Sequence, residues 1–413
     1  MKLTAVETFP VAVPAPHPGG PYWMLVRLDT DEGVSGYGEM MLLSLGFRWP
    51  VIAAMIEDLF EQALLGHDPF NAEERFDRVY GRAGYSHVPD QTKLALLSAF
   101  DLACWDIVGK YLGQPVHRLL GGRVRDTIRT YTYLFAGAGA GAGRGAGDLG
   151  RTLRELWLDP EHVARRAREY VDLGFTAVKL DPFSLNITDD QALGQTVPIQ
   201  FTMSALSTAE AVIAAIRNEI GDAADILIGT HGQMTPAAAI RFAKRIERYD
   251  PLWFEEPVPP ENMAALAQVA RATSIPITTG ERLTSKYEFA RLLEHRAAAI
   301  FNFDLGMVGG ILEARKIATM AEAHYVQVSP HVYGGPMIAA ASIQFSLSCQ
   351  NFLIMEGIER FDGIYDQLTD PPFTWRDGFI IPSERPGLGH DLREDVARSL
   401  RPEDPGPSRI RSY

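Results

Sequence analysis

Five short segments place polar side chains at the ends of apolar stretches: Val178-Lys179-Leu180-Asp181, Gly229-Thr230-His231-Gly232, Phe254-Glu255-Glu256-Pro257, Thr279-Gly280-Glu281-Arg282 and Ser329-Pro330-His331. Charged side chains that end successive parallel strands converge on one face of a barrel, where such folds do chemistry. Glu255 and Glu281 offer hard oxygen donors to a divalent cation such as Mg2+. His231 and His331 offer a proton donor and a proton acceptor. These residue types set the expectation of a metal-dependent enzyme.

Each residue alone has a plainer reading. A strand-end glutamate can pair with a helix N-terminus or with Arg282, Lys179 and Asp181 can form an internal salt bridge, and a buried histidine is often just satisfied by hydrogen bonds. The set on successive segments favours chemistry. Lys179 and Asp181, two apart on a strand, are expected on the same side. A buried lysine beside a bound anion stabilises developing negative charge or accepts a proton. Asp304 and His331 end consecutive strands, so the carboxylate can orient the imidazole, and Glu356 ends the next strand.

The elements that must carry these residues alternate. Strands are expected at 129–135, 175–180, 225–230, 251–255, 276–279, 298–303, 325–329 and 352–356. Helical patterns at 161–173, 205–220, 235–248, 261–272, 284–294, 309–322 and 335–347 fill the gaps. Such alternation predicts a parallel sheet, and about eight strands favour a closed barrel. Ahead of it, residues 1–60 read as a strand meander with a turn at Thr30-Asp31-Glu32-Gly33. Helices are expected at 51–66, 70–83 and 91–112. The alternating Gly and Ala of 136–147 cannot fix one conformation, and a neutral surface insertion is favoured over a mobile lid. Residues 371–399 carry further strand and turn signals, and the tail from Pro402 reads as loose.

Composition removes several classes. The net charge of −13 argues against a nucleic-acid partner, since there is no excess of Lys and Arg to displace counterions. Two cysteines among 413 residues build neither a disulfide framework nor a zinc set. No stretch approaches the roughly 20 apolar residues of a membrane span, and the N-terminus lacks a signal-peptide core, so a cytoplasmic location is expected. There is no Walker lysine, so a phosphate-loop reading has no basis.

The sequence resembles the enolase superfamily, in its mandelate racemase/muconate lactonizing branch, and within it the acid-sugar dehydratases of the galactonate type. Thr30 to Glu39 and Ala99 to Lys110 resemble the capping domain. Glu255-Glu256-Pro257, Gly280-Glu281-Arg282, Asp304 followed by Gly309-Gly310, and His331 come in the family's order. The resemblance implies an α/β protein: a modified (β/α)7β barrel at 126–370 with an α+β capping domain at 1–125, completed by about 371–413. It implies Glu255 and Glu281 as Mg2+ ligands and His331, backed by Asp304, as the base that removes the proton α to a carboxylate. His231 then matches the acid that expels a β-hydroxyl, while Lys179 and Glu356 stabilise the enediolate. The implied partner is a small-molecule acid sugar, and the implied assembly a homo-oligomer.

One position departs from the pattern. Where the family places a metal-ligand Asp, this chain has Gly229, and where a second lysine is common it has Asp181. Asp181 reaching across to supply the third ligand is the favoured reading, because oxygen suits a hard cation. His231 as a nitrogen ligand and loss of the metal are the alternatives. A racemase acting through His331 and Lys179, or a silent acid-sugar binder, would account for the same chain otherwise. Arg282, Arg48, Tyr85 and His87 are candidate substrate contacts, and the particular acid sugar is left open.

Overall fold

The computed structural model describes residues 1–14, 20, 22–42, 47–81, 87–134, 157–183 and 198–404. Tyr85 and the Gly/Ala segment 136–147 fall outside them.

The chain opens with an antiparallel meander of β1 (Leu3–Ala12), β2 (Tyr22–Thr30) and β3 (Ser35–Met40), in the order β1-β2-β3. Helix α1 (Trp49–Ala63) follows, then α2 (Ala72–Phe76) and α3 (Gln91–Leu112). The helix expected at 70–83 is divided, with α2 giving way to a π turn at Asp77–Gly81. Helix α3 begins where the Asp90 side chain accepts a hydrogen bond from Lys93 N, and it stops at Gly113, whose φ of +63° is the left-handed turn glycine takes freely. Its inner face meets β3 backbone to backbone. A Cβ on Gly38 would stand 2.0 Å from Ala99 O, so only glycine permits the approach.

Eight parallel strands then follow among the described residues: β4 (Ile128–Tyr133), β5 (Ala177–Leu180), β6 (Asp225–Gly229), β7 (Trp253–Glu255), β8 (Ile277–Thr279), β9 (Ile300–Phe301), β10 (Gln327–Val328) and β11 (Met355–Gly357). They pair in chain order from β4 to β10. β11 pairs with β4 and a bridge joins Val328 to Phe352, so the sheet closes on itself. All eight expected strands are present, each shorter than expected. Alternation sorts their side chains. Val178, Ile226, Ile228 and Phe254 pack outward against helices, while Tyr131, Ala177, Leu227, Trp253, Ile300 and Ile354 fill the lumen.

Three buried acids tie the meander and α3 to the rest. Glu39 accepts hydrogen bonds from the backbone N–H groups of Gly335, Met337 and Ile338, at the start of the helix Pro336–Ser348. Asp101 accepts from Ile311 N at 2.8 Å and pairs with Arg75 at 2.6 Å. Asp106 accepts from Tyr37 N at 2.9 Å and Leu388 N at 2.8 Å. Each supplies an acceptor to N–H groups that would otherwise be buried unpaired.

The end of the chain serves two parts of the molecule. The hairpin of Thr374–Arg376 and Phe379–Ile381 pairs antiparallel with the start of β4, extending the barrel sheet. The helix Glu394–Ser399 lies against the meander, where Glu394 takes Arg27 at 2.7 Å. No helix among the described residues is long and apolar enough to cross a membrane.

Candidate active site

The lumen's C-terminal end collects the charged residues. Lys179 is the third residue of β5 and points inward, its neighbours Val178 and Leu180 facing the helices. Its Nζ lies 2.7 Å from Glu255 Oε1 and 3.6 Å from Glu356 Oε1. Burial works against the charge, but Glu255 and Glu356 outweigh it and hold the lysine well above its usual range. Lys179 is therefore an ammonium.

Glu255 closes β7, and Trp253, two residues earlier on the same face, donates Nε1 to its second oxygen at 3.0 Å. Glu281 follows β8 through Gly280, whose φ of +145° an L side chain rarely adopts. The two carboxyl groups are in hydrogen-bond contact, and Glu255 keeps the shared proton: burial raises it to about 8, with Lys179 offsetting only part of that. Burial opposes charge on Glu281, yet His331, Lys179 and His231 together hold it well below the usual carboxylate range. Two adjacent buried carboxylates suit Mg2+, which binds through one or two protein carboxylates and keeps its other positions for water and substrate. The donor set thus fits this ion with two ligands, Glu255 and Glu281. Among the described residues no group of three acidic, histidine or cysteine side chains is placed to hold a metal.

Asp181 is not brought to that pair. Strand β5 ends at Leu180, and Asp181 already belongs to the following turn. Its carboxylate accepts from Phe183 N at 2.9 Å and from Gln233 Nε2 at 2.7 Å, and lies 3.4 Å from His231 Nδ1. Both carboxylate oxygens are thus engaged by the segments that follow β5 and β6.

His331 and Asp304 come together as expected, with Nδ1 2.7 Å from Oδ2. Gly306 N donates to the other oxygen of Asp304 at 2.7 Å and fixes the carboxylate. A carboxylate at Nδ1 selects the tautomer with the proton there, leaving Nε2 as the free base when the ring is neutral. Nε2 faces Glu281 Oε2 at 3.6 Å and Glu356 Oε2 at 3.5 Å. Burial lowers the affinity of His331 for its proton, but Glu356, Asp304 and Glu281 prevail and push it up to about 10. His231 sits beyond β6 with a φ of +48° and is 31% exposed, against 4% for His331. It is the member of the set most open to solvent. Burial lowers its pKa, and the Asp181 contact and the charge of Glu281 together raise it, with solvent screening part of that effect.

The candidate substrate contacts fare differently. Arg282 is held by Glu256, with its Nε at 2.7 Å and Nη2 at 2.6 Å from the same oxygen. Arg48 pairs with Asp404 at 2.8 Å, and His87 stands edge-on to Tyr80 at 5.9 Å. The Arg48 and His87 contacts belong to the surface and the capping helices, whereas Arg282 and the buried Glu256 follow β8 and β7 at the barrel's C-terminal end.

The structure adds residues that the strand-end pattern did not single out. Tyr131 and Tyr133 of β4 lie with their rings 5.8 Å from Lys179 Nζ. Tyr133 stacks on Trp157, whose Nε1 donates to Asp181 O at 3.1 Å. Tyr333 stands two residues beyond His331, the ring centroids 6.3 Å apart. Inward alternation along β4 was the available signal for the two tyrosines.

Comparisons with known proteins cover both parts of the chain. The description "Mandelate racemase / muconate lactonizing enzyme, N-terminal domain" matches residues 8–121, and "Enolase C-terminal domain-like" matches 162–396. A D-galactonate dehydratase of Verminephrobacter eiseniae is 33% identical over 95% of this chain and 93% of its own. A D-gluconate/D-galactonate dehydratase of Picrophilus torridus is 30% identical over 91% and 88%. Among solved structures, a mandelate racemase/muconate lactonizing enzyme from Sulfitobacter sp. superposes with a TM-score of 0.88 at 40% identity, covering 99% of this chain and 97% of its own.

Proposed function

The chain belongs to the enolase superfamily, in its mandelate racemase/muconate lactonizing branch, and from that premise we propose that it dehydrates an acid sugar to a 2-keto-3-deoxy acid. The observation that carries the reading is the pairing of a buried, Asp304-oriented His331 with a second, solvent-reaching His231, both around Glu281. One can take a proton from the α-carbon; the other can give one to a leaving hydroxyl.

The substrate's carboxylate would lie against Lys179, whose ammonium is fixed by Glu255 and Glu356. His331, in the neutral form that its raised pKa makes the minor one at pH 7, would remove the α-proton through Nε2, with Asp304 stabilising the imidazolium that forms. The electron pair moves into the carboxylate to give an enediolate, whose added charge Lys179 stabilises. His231 would protonate the β-hydroxyl, which leaves as water. The resulting enol tautomerises to the keto acid. Members of the family generally depend on Mg2+. Here Glu255 and Glu281 would hold it, and when bound it would supply a Lewis acid to the substrate's carboxylate.

Racemisation would use Lys179 as the acid in one direction and as the base in the other; held between two carboxylates, the lysine is a poor base for the second of these. In domain terms, residues 1–125 with the end of the chain would cap the barrel at 126–370. The test is an assay of the purified protein with Mg2+ on a panel of aldonates and aldarates, following 2-keto-3-deoxy products. Exchange of the α-proton without product would turn the reading to an epimerase. Neither exchange nor product would leave a binder.

A further inference from the structure

Gly229 and Lys179 form one arrangement. Gly229 is paired in register with Glu255 across β6 and β7. A Cβ built on Gly229 would stand 2.6 Å from Cε of Lys179. The lysine chain therefore crosses the space that a side chain at 229 would fill, and it delivers Nζ to Glu255 Oε1 at 2.7 Å. With Trp253 on the other oxygen, both acceptors of Glu255 are engaged by the protein's own donors. Asp181 is tied to Gln233 and the Phe183 amide, so it does not make up for the missing ligand.

We propose that Lys179 is the resident counter-cation of the Glu255–Glu281 pair, so that this chain binds a divalent cation weakly alone and tightly only together with an α-hydroxy acid. The naming of the acid rests on the dehydratase reading; the linkage itself does not. The reason is electrostatic. An ammonium and a divalent ion on one carboxylate repel each other, and in a buried site little solvent screens them. An arriving carboxylate offers Lys179 another anion and frees the Glu255 oxygen. The acid's carboxylate and α-hydroxyl also bring oxygen donors where Gly229 brings none. Each ligand then strengthens the other by the same factor.

The test is calorimetric titration of the intact protein with Mg2+, alone and with a saturating 3-deoxyaldonate. That acid keeps the α-hydroxyl but has no β-hydroxyl to lose, so binding is read without turnover. The expected result is at least tenfold tighter Mg2+ binding with the acid present, about 1.4 kcal/mol of coupling. Gly229→Ala adds a Cβ but no ligand. It should push Lys179 off Glu255, tighten Mg2+ binding without acid and shrink the coupling. Lys179→Met should act in the same direction, and it carries the test if the alanine variant does not fold. Mg2+ affinity unaffected by the acid would overturn the proposal, as would weaker metal binding in the variants than in the parent. Intact coupling in a protein that dehydrates no acid would remove the proposed reaction and leave this inference standing.

Discussion

His331 Nδ1 lies 2.7 Å from Asp304 Oδ2, and the two residues also share a backbone bridge between the segments that follow β9 and β10. The backbone contact fixes the side-chain contact, so the imidazole's orientation is a property of the barrel wall. That wall leaves only Nε2 turned toward Glu281 and Glu356.

Asp304→Asn keeps the shape of this pair and removes the charge that selects the tautomer. The proposed base should then fail. Turnover and α-proton exchange into D2O should both fall by roughly 10²–10⁴-fold with little change in KM. Exchange at the parent rate would show that His331 needs no carboxylate behind it.

His231 should separate the two halves of the reaction. In His231→Asn the α-proton should still exchange with D2O, because His331, Asp304 and Lys179 are untouched. Product formation should fall by roughly 10²-fold or more, the range general acids contribute. NMR of the substrate's α-position beside a keto-acid assay reads both steps at once. Equal loss of exchange and product would place His231 in substrate binding rather than in expulsion of the hydroxyl.

How much of this was legible in the sequence depended on where each strand stops. The barrel and the Asp304–His331 pair were readable because strand ends on neighbouring strands must meet, whatever the side chains between them do. Asp181 turns to Gln233 and the Phe183 amide because β5 has already ended at Leu180, where a period of two no longer applies. Beyond β6 the same rule fails for His231, whose positive φ belongs to a turn. Arg48 and His87 were expected at the substrate from their places in the capping segments, but no periodicity fixes where such segments fold. The path of Lys179 across Gly229 depends on the full length of one side chain, which spacing does not encode.

Gly38 makes the meander's contact with α3 testable. The built Cβ would approach Ala99 O to 2.0 Å and Ala103 N to 3.0 Å, both backbone atoms of a buried helix. Gly38→Ala must therefore move β3 or α3 as a whole, and should destabilise by roughly 3 kcal/mol, at the upper end for overpacked cores. Urea denaturation reads this directly. A loss under about 0.5 kcal/mol, the scale of ordinary surface changes, would show that the two elements are not in backbone contact.

The helix at the end of the chain should give the fold an acid-sensitive clamp. Glu394 accepts from Arg27 at 2.7 and 2.8 Å, from Tyr37 Oη at 2.9 Å and from Arg398 at 2.8 Å. Burial alone would raise its pKa, but Arg27, Tyr37 and Arg398 outweigh that and lower it below the ordinary 4.5. A depressed folded-state value means that the carboxylate's stabilisation is fully present above the unfolded value. It is lost as pH falls through the folded one. Glu394→Gln should therefore lower stability by about 1 kcal/mol at pH 7, a modest figure because solvent screens part of the cluster. The difference from the parent should shrink as pH falls below about 4.5, once the parent's own carboxyl takes up its proton. Thermal melts of both proteins between pH 3 and about 7 check the sign. A gap that widens on acidification would mean that Glu394 is held in its protonated form, and that Arg27 docks the helix through Glu7 and Asp29 instead.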